Sequence, residues 1–192
     1  GELLVKSPCV FTGYYKDPET TASILRDGWL HTGDIAEFDD EGYVYITGRK
    51  KEIIVASNGK KIYPARIENL FKVEPLINQV VLIGDRLPYI TALFTINANT
   101  IETIPGLEAL KGLPMSELAK DPLVQKAVKE AVARVNSKLA PFEQIRKFRI
   151  LDRDFSIENG EMTPTMKVRR ARVLENFRDL IVEMYSGREE NV

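Results

Sequence analysis

Apolar positions recur at helical spacing in two stretches of the chain. Val124, Val128, Ala131, Val135 and Leu139 fall on one face at three- and four-residue intervals. Asp121 before them suits an N-cap, Pro122 suits the first helical position, and Pro141 ends the pattern. Leu174, Phe177, Ile181 and Met184 give a second face, which predicts a last helix over about 168–185, stopped by Gly187 and a charged tail. Pro64 opens a shorter helix through Phe71, and residues 16–25 read as a helical turn that breaks at Asp27-Gly28. Short apolar runs predict strands over 3–5, 10–15, 35–38, 43–47, 53–55, 80–83, 91–95 and 147–151. Asp39-Asp40-Glu41-Gly42 reads as a hairpin loop and Gly84-Asp85 as a turn.

The balance of elements changes along the chain. Residues 1–47 are β-rich, with little helix and too little length for a core of their own. Residues 48–51 form a junction, after which strands and amphipathic helices alternate. That second part predicts a small α+β domain, a sheet covered by helices. Residues 56–61 are a polar loop, residues 97–120 are irregular with helical fragments, and no internal repeat occurs. The chain opens on Gly1-Glu2-Leu3-Leu4-Val5-Lys6, already strand-like and without an initiator Met, and reads as a piece of a longer protein.

Composition adds exclusions. The 192 residues are 44% hydrophobic and 29% charged, as in a folded domain, and 27 basic against 28 acidic residues leave a net charge of -1. No basic excess points to nucleic acid. Basic clusters remain at Arg49-Lys50-Lys51, Lys60-Lys61 and 167–172, either as solvated faces or as phosphate contacts. The single Cys9, set in an apolar run, reads as a small buried hydrophobe and fits a reducing, cytoplasmic setting. His31 alone builds neither a metal cluster nor a nucleophile triad. No apolar stretch reaches the roughly 20 residues of a membrane span.

Four polar runs carry candidate chemistry. In Trp29-Leu30-His31-Thr32-Gly33-Asp34 the Asp34 carboxylate either closes a turn or accepts two vicinal hydroxyls, as acidic residues do on ribose. Arg49, after Gly48, offers a planar fork to a nucleotide or a salt bridge to the junction. Ser57-Asn58-Gly59-Lys60-Lys61 reads as an ordinary Asn-Gly turn. In Thr163-Pro164-Thr165-Met166-Lys167 a stiff segment carries a lysine ahead of a helix, either as a solvated charge or as a cation held on an arm. Glu68, Glu158 and Glu161 read as solvent-exposed acids, and Arg169 and Arg170 as surface charge.

In this order the runs resemble the C-terminal third of the adenylate-forming enzymes, the acyl-CoA synthetase superfamily. Thr-Pro-Thr-Met-Lys resembles its long-chain fatty acid–CoA ligase branch. The resemblance covers nearly the whole chain, is weakest over 97–120, and implies the end of an N-terminal adenylation domain over 1–47 and a mobile C-terminal domain over 48–192. It implies that Asp34 binds the ATP ribose, that Thr32 lies near the phosphates, and that Arg49 contacts ATP or AMP. Lys51 matches the hinge, Gly59 and Ser57 the loop that meets CoA, and Lys167 the catalytic lysine of adenylation. The implied reaction joins a fatty acid, MgATP and CoA through an acyl-adenylate, with Mg2+ and ATP bound mainly by the N-terminal domain. The family's phosphate loop and its acyl and adenine pockets are absent from these residues, so the piece alone is expected to be inactive.

Two rivals stay open. Amino-acid or aryl-acid adenylating ligases share the pattern, but usually carry Gly before the terminal lysine, where this chain has Met166. A non-catalytic module that self-associates as a homodimer is the other, since residues 1–47 would present strand edges. An acyl substrate also permits peripheral membrane contact, although no amphipathic anchor stands out.

Overall fold

A computed structural model describes residues 1–57 and 59–186; the expected helix stop at Gly187 lies outside them. Contacts divide the chain into two compact units: Gly1–Ile53 with Tyr63–Arg66, and Ile54–Ile62 with the residues from Ile67 onward.

The first unit is built on one long strand. β1 (Glu2–Val5), α1 (Pro18–Ile24), β2 (Leu25–Arg26), β3 (Trp29–Phe38) and β4 (Val44–Arg49) follow in chain order, and β1, β2 and β4 all pair antiparallel with β3. Its sequence alternates poorly before Ile35, which is why only residues 35–38 were expected as strand; pairing on both edges extends the strand back to Trp29. Asp39 accepts from Glu41 N and Tyr43 N, closing the β3–β4 hairpin as expected. The strand expected over 10–15 does not form. Tyr14 N bonds Thr21 Oγ1, and Lys16 takes φ +54, so side-chain partners around α1 capture this backbone in turns. Cys9 is correspondingly exposed, not a buried hydrophobe. Ile35 and Ala36 are the buried hydrophobic side chains among residues 1–53, while Phe38, Tyr43, Tyr45 and Ile46 are more than half exposed.

The second unit holds the core. β5 (Ile54–Val55) and β6 (Lys61–Ile62) form a short hairpin, and α2 (Pro64–Leu70) follows, contributing to this unit from Ile67 on. β7 (Ile77–Ile83) and β8 (Ile90–Ile96) are antiparallel; β9 (Ile145–Ile150) joins β8 in parallel. A parallel neighbour requires a crossover. α3 (Met115–Leu118) and α4 (Pro122–Asn136) lie in that connection, after 3-10 turns that occupy the irregular stretch. Asp121 caps α4 by accepting from Leu123 N and Val124 N, with Pro122 in its first turn, as the sequence predicts. Val124, Val128, Ala131 and Val135 are each at most 2% exposed.

β8 is the middle strand, and its side chains feed two cores. Ile90, Ala92, Phe94 and Ile96 pack with α4 and with Ile67 and Phe71. Leu93, with Val81 and Ile83 of β7, packs with Leu151, Phe155, Met162, Val173 and Met184. The last helix is two pieces, α5 (Arg170–Asn176) and α6 (Arg178–Ser186). The break falls at Phe177, whose ring packs edge-on against Phe155 and lies 4.9 Å from the Arg153 guanidinium. The single helix expected over 168–185 is therefore interrupted at Phe177, whose backbone leaves the helical range at φ -106 and ψ 22. No helix among the described residues is long and apolar enough to cross a membrane.

Candidate functional site

In the first unit, β3 and β4 place Asp34 opposite Arg49. Arg49 Nε donates to Asp34 Oδ1 at 2.8 Å; the arginine side chain is 59% exposed and the aspartate 21%. One carboxylate oxygen is thus fixed by a charged donor on a largely exposed side chain. Gly33, at φ +72, gives the bend ahead of Asp34, and the register slips between Ile35 and Ala36. Thr32 Oγ1 donates to Leu3 O at 2.8 Å and accepts from Asp34 N at 3.1 Å. Its one proton is committed to the β1 backbone, so toward a phosphate it has no spare donor. Lys51 lies in an exposed 3-10 turn, Lys50–Glu52, just before the chain leaves the first unit.

In the second unit, Ser57 and Gly59 lie in the β5–β6 turn. Ala56 N bonds Lys60 O and Gly59 N bonds Ala56 O. Gly59 takes φ +79, and beyond its chain neighbours no described atom lies within 4 Å of where a Cβ would stand, so the turn needs glycine for its backbone. Ser57 lines a groove of about 190 Å³ with Pro88, Tyr89, Pro141, Phe142 and Arg146. Lys60 Nζ lies 4.3 Å from the Phe142 ring centroid.

Lys167 stands on a small hairpin. Thr163 N bonds Lys167 O at 2.8 Å, Met166 N bonds Thr163 O at 2.9 Å, and Lys167 N bonds Thr163 Oγ1 at 3.0 Å. Met166 takes φ +61, which turns the chain between Thr165 and Lys167. Met162 bridges Val168 at the root. The tip, residues 164–167, is exposed, and among the described residues Lys167 Nζ has no ion-pair partner. A fixed backbone under an uncommitted ammonium group is an arm, not a frayed helix start.

Two acids and an arginine expected at the surface are internal. Glu161 is 0% exposed; it takes a bidentate pair from Arg153 at 2.7 Å, and bonds from Asn176 Nδ2 at 2.9 Å and Ser156 N at 3.1 Å. The Arg153 guanidinium, aided by Asn176 and Ser156 N and opposed by burial, holds its carboxyl down at about 2. Arg170, half-buried, donates to Leu82 O at 2.7 Å and to Glu68 Oε1 at 2.6 Å, while Glu68 Oε1 also accepts from Leu82 N at 2.8 Å. Ser156 aside, these partners lie 8 to 102 residues apart, beyond any local spacing signal. Glu158, by contrast, is exposed as expected. Among the described residues no group of three or more His, Cys, Asp or Glu side chains is placed to hold a metal ion.

The family model described as the C-terminal domain of AMP-binding enzymes matches residues 51–189. The long-chain-fatty-acid–CoA ligase FadD15 of Mycobacterium tuberculosis is 42% identical over 187 residues, which cover 97% of this chain and 31% of that protein. The long-chain-fatty-acid–CoA ligase ACSBG1 of Rattus norvegicus is 37% identical over 210 residues, 99% of this chain and 29% of its own length. The chain thus spans less than a third of either relative. The crystal structure of the adenylation domain of a carboxylate reductase from Mycobacterium chelonae superimposes with a TM-score of 0.76 over 97% of this chain and 28% of that one; at 24% identity this is a likeness of fold.

Proposed function

The chain belongs to the family of AMP-binding enzyme C-terminal domains, and from that premise we propose that it works as the C-terminal part of an ATP-dependent long-chain fatty acid–CoA ligase. The observation that carries this reading is the uncommitted Lys167 ammonium on a braced hairpin. In adenylation a fatty acid carboxylate attacks the α-phosphate of MgATP, an acyl-adenylate forms and diphosphate leaves. Negative charge gathers on the phosphate oxygens, and the two anions repel each other as they approach. A cation delivered to both lowers each cost. Asp34 accepts from the ribose hydroxyls through its free oxygen, and the Arg49 guanidinium adds donors beside it.

The second half joins CoA. Its thiol attacks the acyl-adenylate carbonyl and AMP departs. The open Cβ position of Gly59 and the groove beside Ser57 support a path for a thin thiol-bearing arm. Lys51, in its exposed turn, is the proposed hinge on which the C-terminal domain changes from one half-reaction to the other. The identity of 42% and 37% to ligases named for long-chain acids favours that branch over amino-acid or aryl-acid adenylation. We place the reaction in cytoplasmic fatty acid metabolism, with fatty acid, ATP and CoA as partners; peripheral membrane contact accords with an acyl substrate.

The test is Lys167→Ala in the complete ligase. Acid-dependent diphosphate exchange should fall on the order of 10²–10³-fold, while thioester formation from supplied acyl-adenylate and CoA survives. Unchanged exchange would reduce Lys167 to a surface charge and remove the reading.

A second reading, self-association, draws on the exposed Phe38, Tyr43, Tyr45 and Ile46. Light scattering of this chain across concentrations decides it, and a concentration-independent monomer counts against a homodimer.

A further inference from the structure

We propose that Glu161 is a positioning residue for adenylation, one that sets the reach of Lys167 by locking the root of its hairpin. The inference rests on the adenylation role given to Lys167 above and assigns a function to a buried acid that never meets substrate.

The hairpin cannot hold itself. Its ladder is Thr163 N to Lys167 O and Arg169 N to Glu161 O, with one bridge between Met162 and Val168. A two-stranded hairpin of this size is marginal in water. Its tip is exposed, so the restraint on Lys167 must come from the root. Met162, 5% exposed, supplies an apolar anchor in the second core. Burial alone is not directional, and leaves the hairpin free to slide or tilt.

Glu161 supplies direction. Its carboxylate receives four hydrogen bonds from three residues on two segments: two from Arg153 and one from Ser156 N in the loop after β9, and one from Asn176 at the end of α5. Its backbone is fixed at both ends as well, since Glu161 N donates to Ser156 O and Glu161 O accepts from Arg169 N at 2.7 Å. The strand that starts at Glu161 and the strand that returns from Lys167 are therefore joined at one residue. Asn176 also donates to Asn159 O, tying the preceding turn to the same point. Arg153 is held in turn over the Phe177 ring.

The acceptor count separates positioning from catalysis. A carboxylate has about four lone-pair sites, and all four are taken. At 0% exposure Glu161 reaches no ligand. What it can change is the place of the Lys167 ammonium group, and a misplacement of about 1 Å costs near 10²-fold in rate. Glu161→Gln keeps the shape but turns an amide N–H₂ toward Arg153 or Ser156 N, donors that need an acceptor, so the root must shift.

The experiment compares Glu161→Gln, Lys167→Ala and the double variant in the complete ligase, in both half-reactions. For Glu161→Gln the kcat of diphosphate exchange should fall about 10- to 100-fold, with the KM for ATP and for acid unchanged. Thioester formation from supplied acyl-adenylate should stay within about threefold. The double variant should be no slower in exchange than Lys167→Ala, because a residue that acts through another loses nothing further once that one is gone. Asn176→Ala, which removes one of the four bonds and spares the Arg153 pair, should show a smaller loss in the same step and covers the case in which Glu161→Gln does not fold. Multiplying losses in the double variant, equal loss of both half-reactions, or unchanged exchange in Glu161→Gln or in a folded Asn176→Ala would each overturn the positioning role. If Lys167→Ala itself leaves exchange intact, the adenylation reading falls and the positioning role falls with it; if only the Glu161 and Asn176 variants are silent, that reading stands.

Discussion

Asp34 and Arg49 face each other across β3 and β4, and Arg49 Nε donates to Asp34 Oδ1 at 2.8 Å. The pair lies at the surface, with the arginine 59% exposed, so its worth to stability is small. In the proposed site its value is orientation: the arginine holds one carboxylate oxygen and leaves the second open. Arg49→Ala in the complete ligase should raise the KM for ATP about tenfold, near one charged hydrogen bond. The thermal midpoint of this chain should move little. A large drop in midpoint with an unchanged KM would make the pair a structural staple.

Gly59 offers a test in the other half-reaction. At φ +79 an alanine is strained even though the space is open, at a cost of about 1 kcal/mol. Gly59→Ala should slow thioester formation from supplied acyl-adenylate several-fold and spare diphosphate exchange. Equal slowing of both steps would separate this turn from CoA.

Lys51 is exposed in a 3-10 turn at the edge of the first unit. Proline there fixes φ and disfavours the helical conformation of Lys50. If the turn is the hinge, Lys51→Pro should preserve one half-reaction and suppress the other by at least tenfold, whereas a charge effect would be matched by Lys51→Ala. Equal loss of both half-reactions would dismiss the hinge.

What could be read before folding was the local part. α4 was legible because its cap, its first-turn proline and its apolar face agree. The Thr-Pro-Thr-Met-Lys segment was legible as an arm for Lys167, since proline and a tight turn stiffen it. The parts that were not legible depend on distant partners. Trp29 to Asp34 became strand because β1, β2 and, at Asp34, β4 pair with it, and Val10 to Tyr15 lost its strand to the side chains of α1. Glu161 and Arg170 looked like ordinary surface charges because Arg153, Asn176, Glu68 and Leu82 reach them through the fold. The residues proposed to hold Lys167 in place were therefore invisible in the segment that displays it.

The same buried acid gives this chain a pH signature. The Glu161 carboxyl is lowered from an ordinary 4.5 to about 2, chiefly by the Arg153 guanidinium. A depressed pKa contributes stability that is full above the unfolded value and is lost as pH falls through the folded one. The window is thus from about 4.5 down to about 2. Arg153 is 39% exposed, so solvent screens the pair and the loss should be about 2 kcal/mol rather than the full value of the shift. Thermal midpoints of this chain measured across that window should fall more steeply for the native sequence than for Glu161→Gln, which has no such proton to gain. Glu161→Gln should start lower near neutral pH, because Arg153 and Ser156 N keep only a weaker acceptor. Parallel curves for the two proteins would mean that Glu161 binds its proton alike in the folded and unfolded chain, and that the Arg153 pair does not hold the hairpin root.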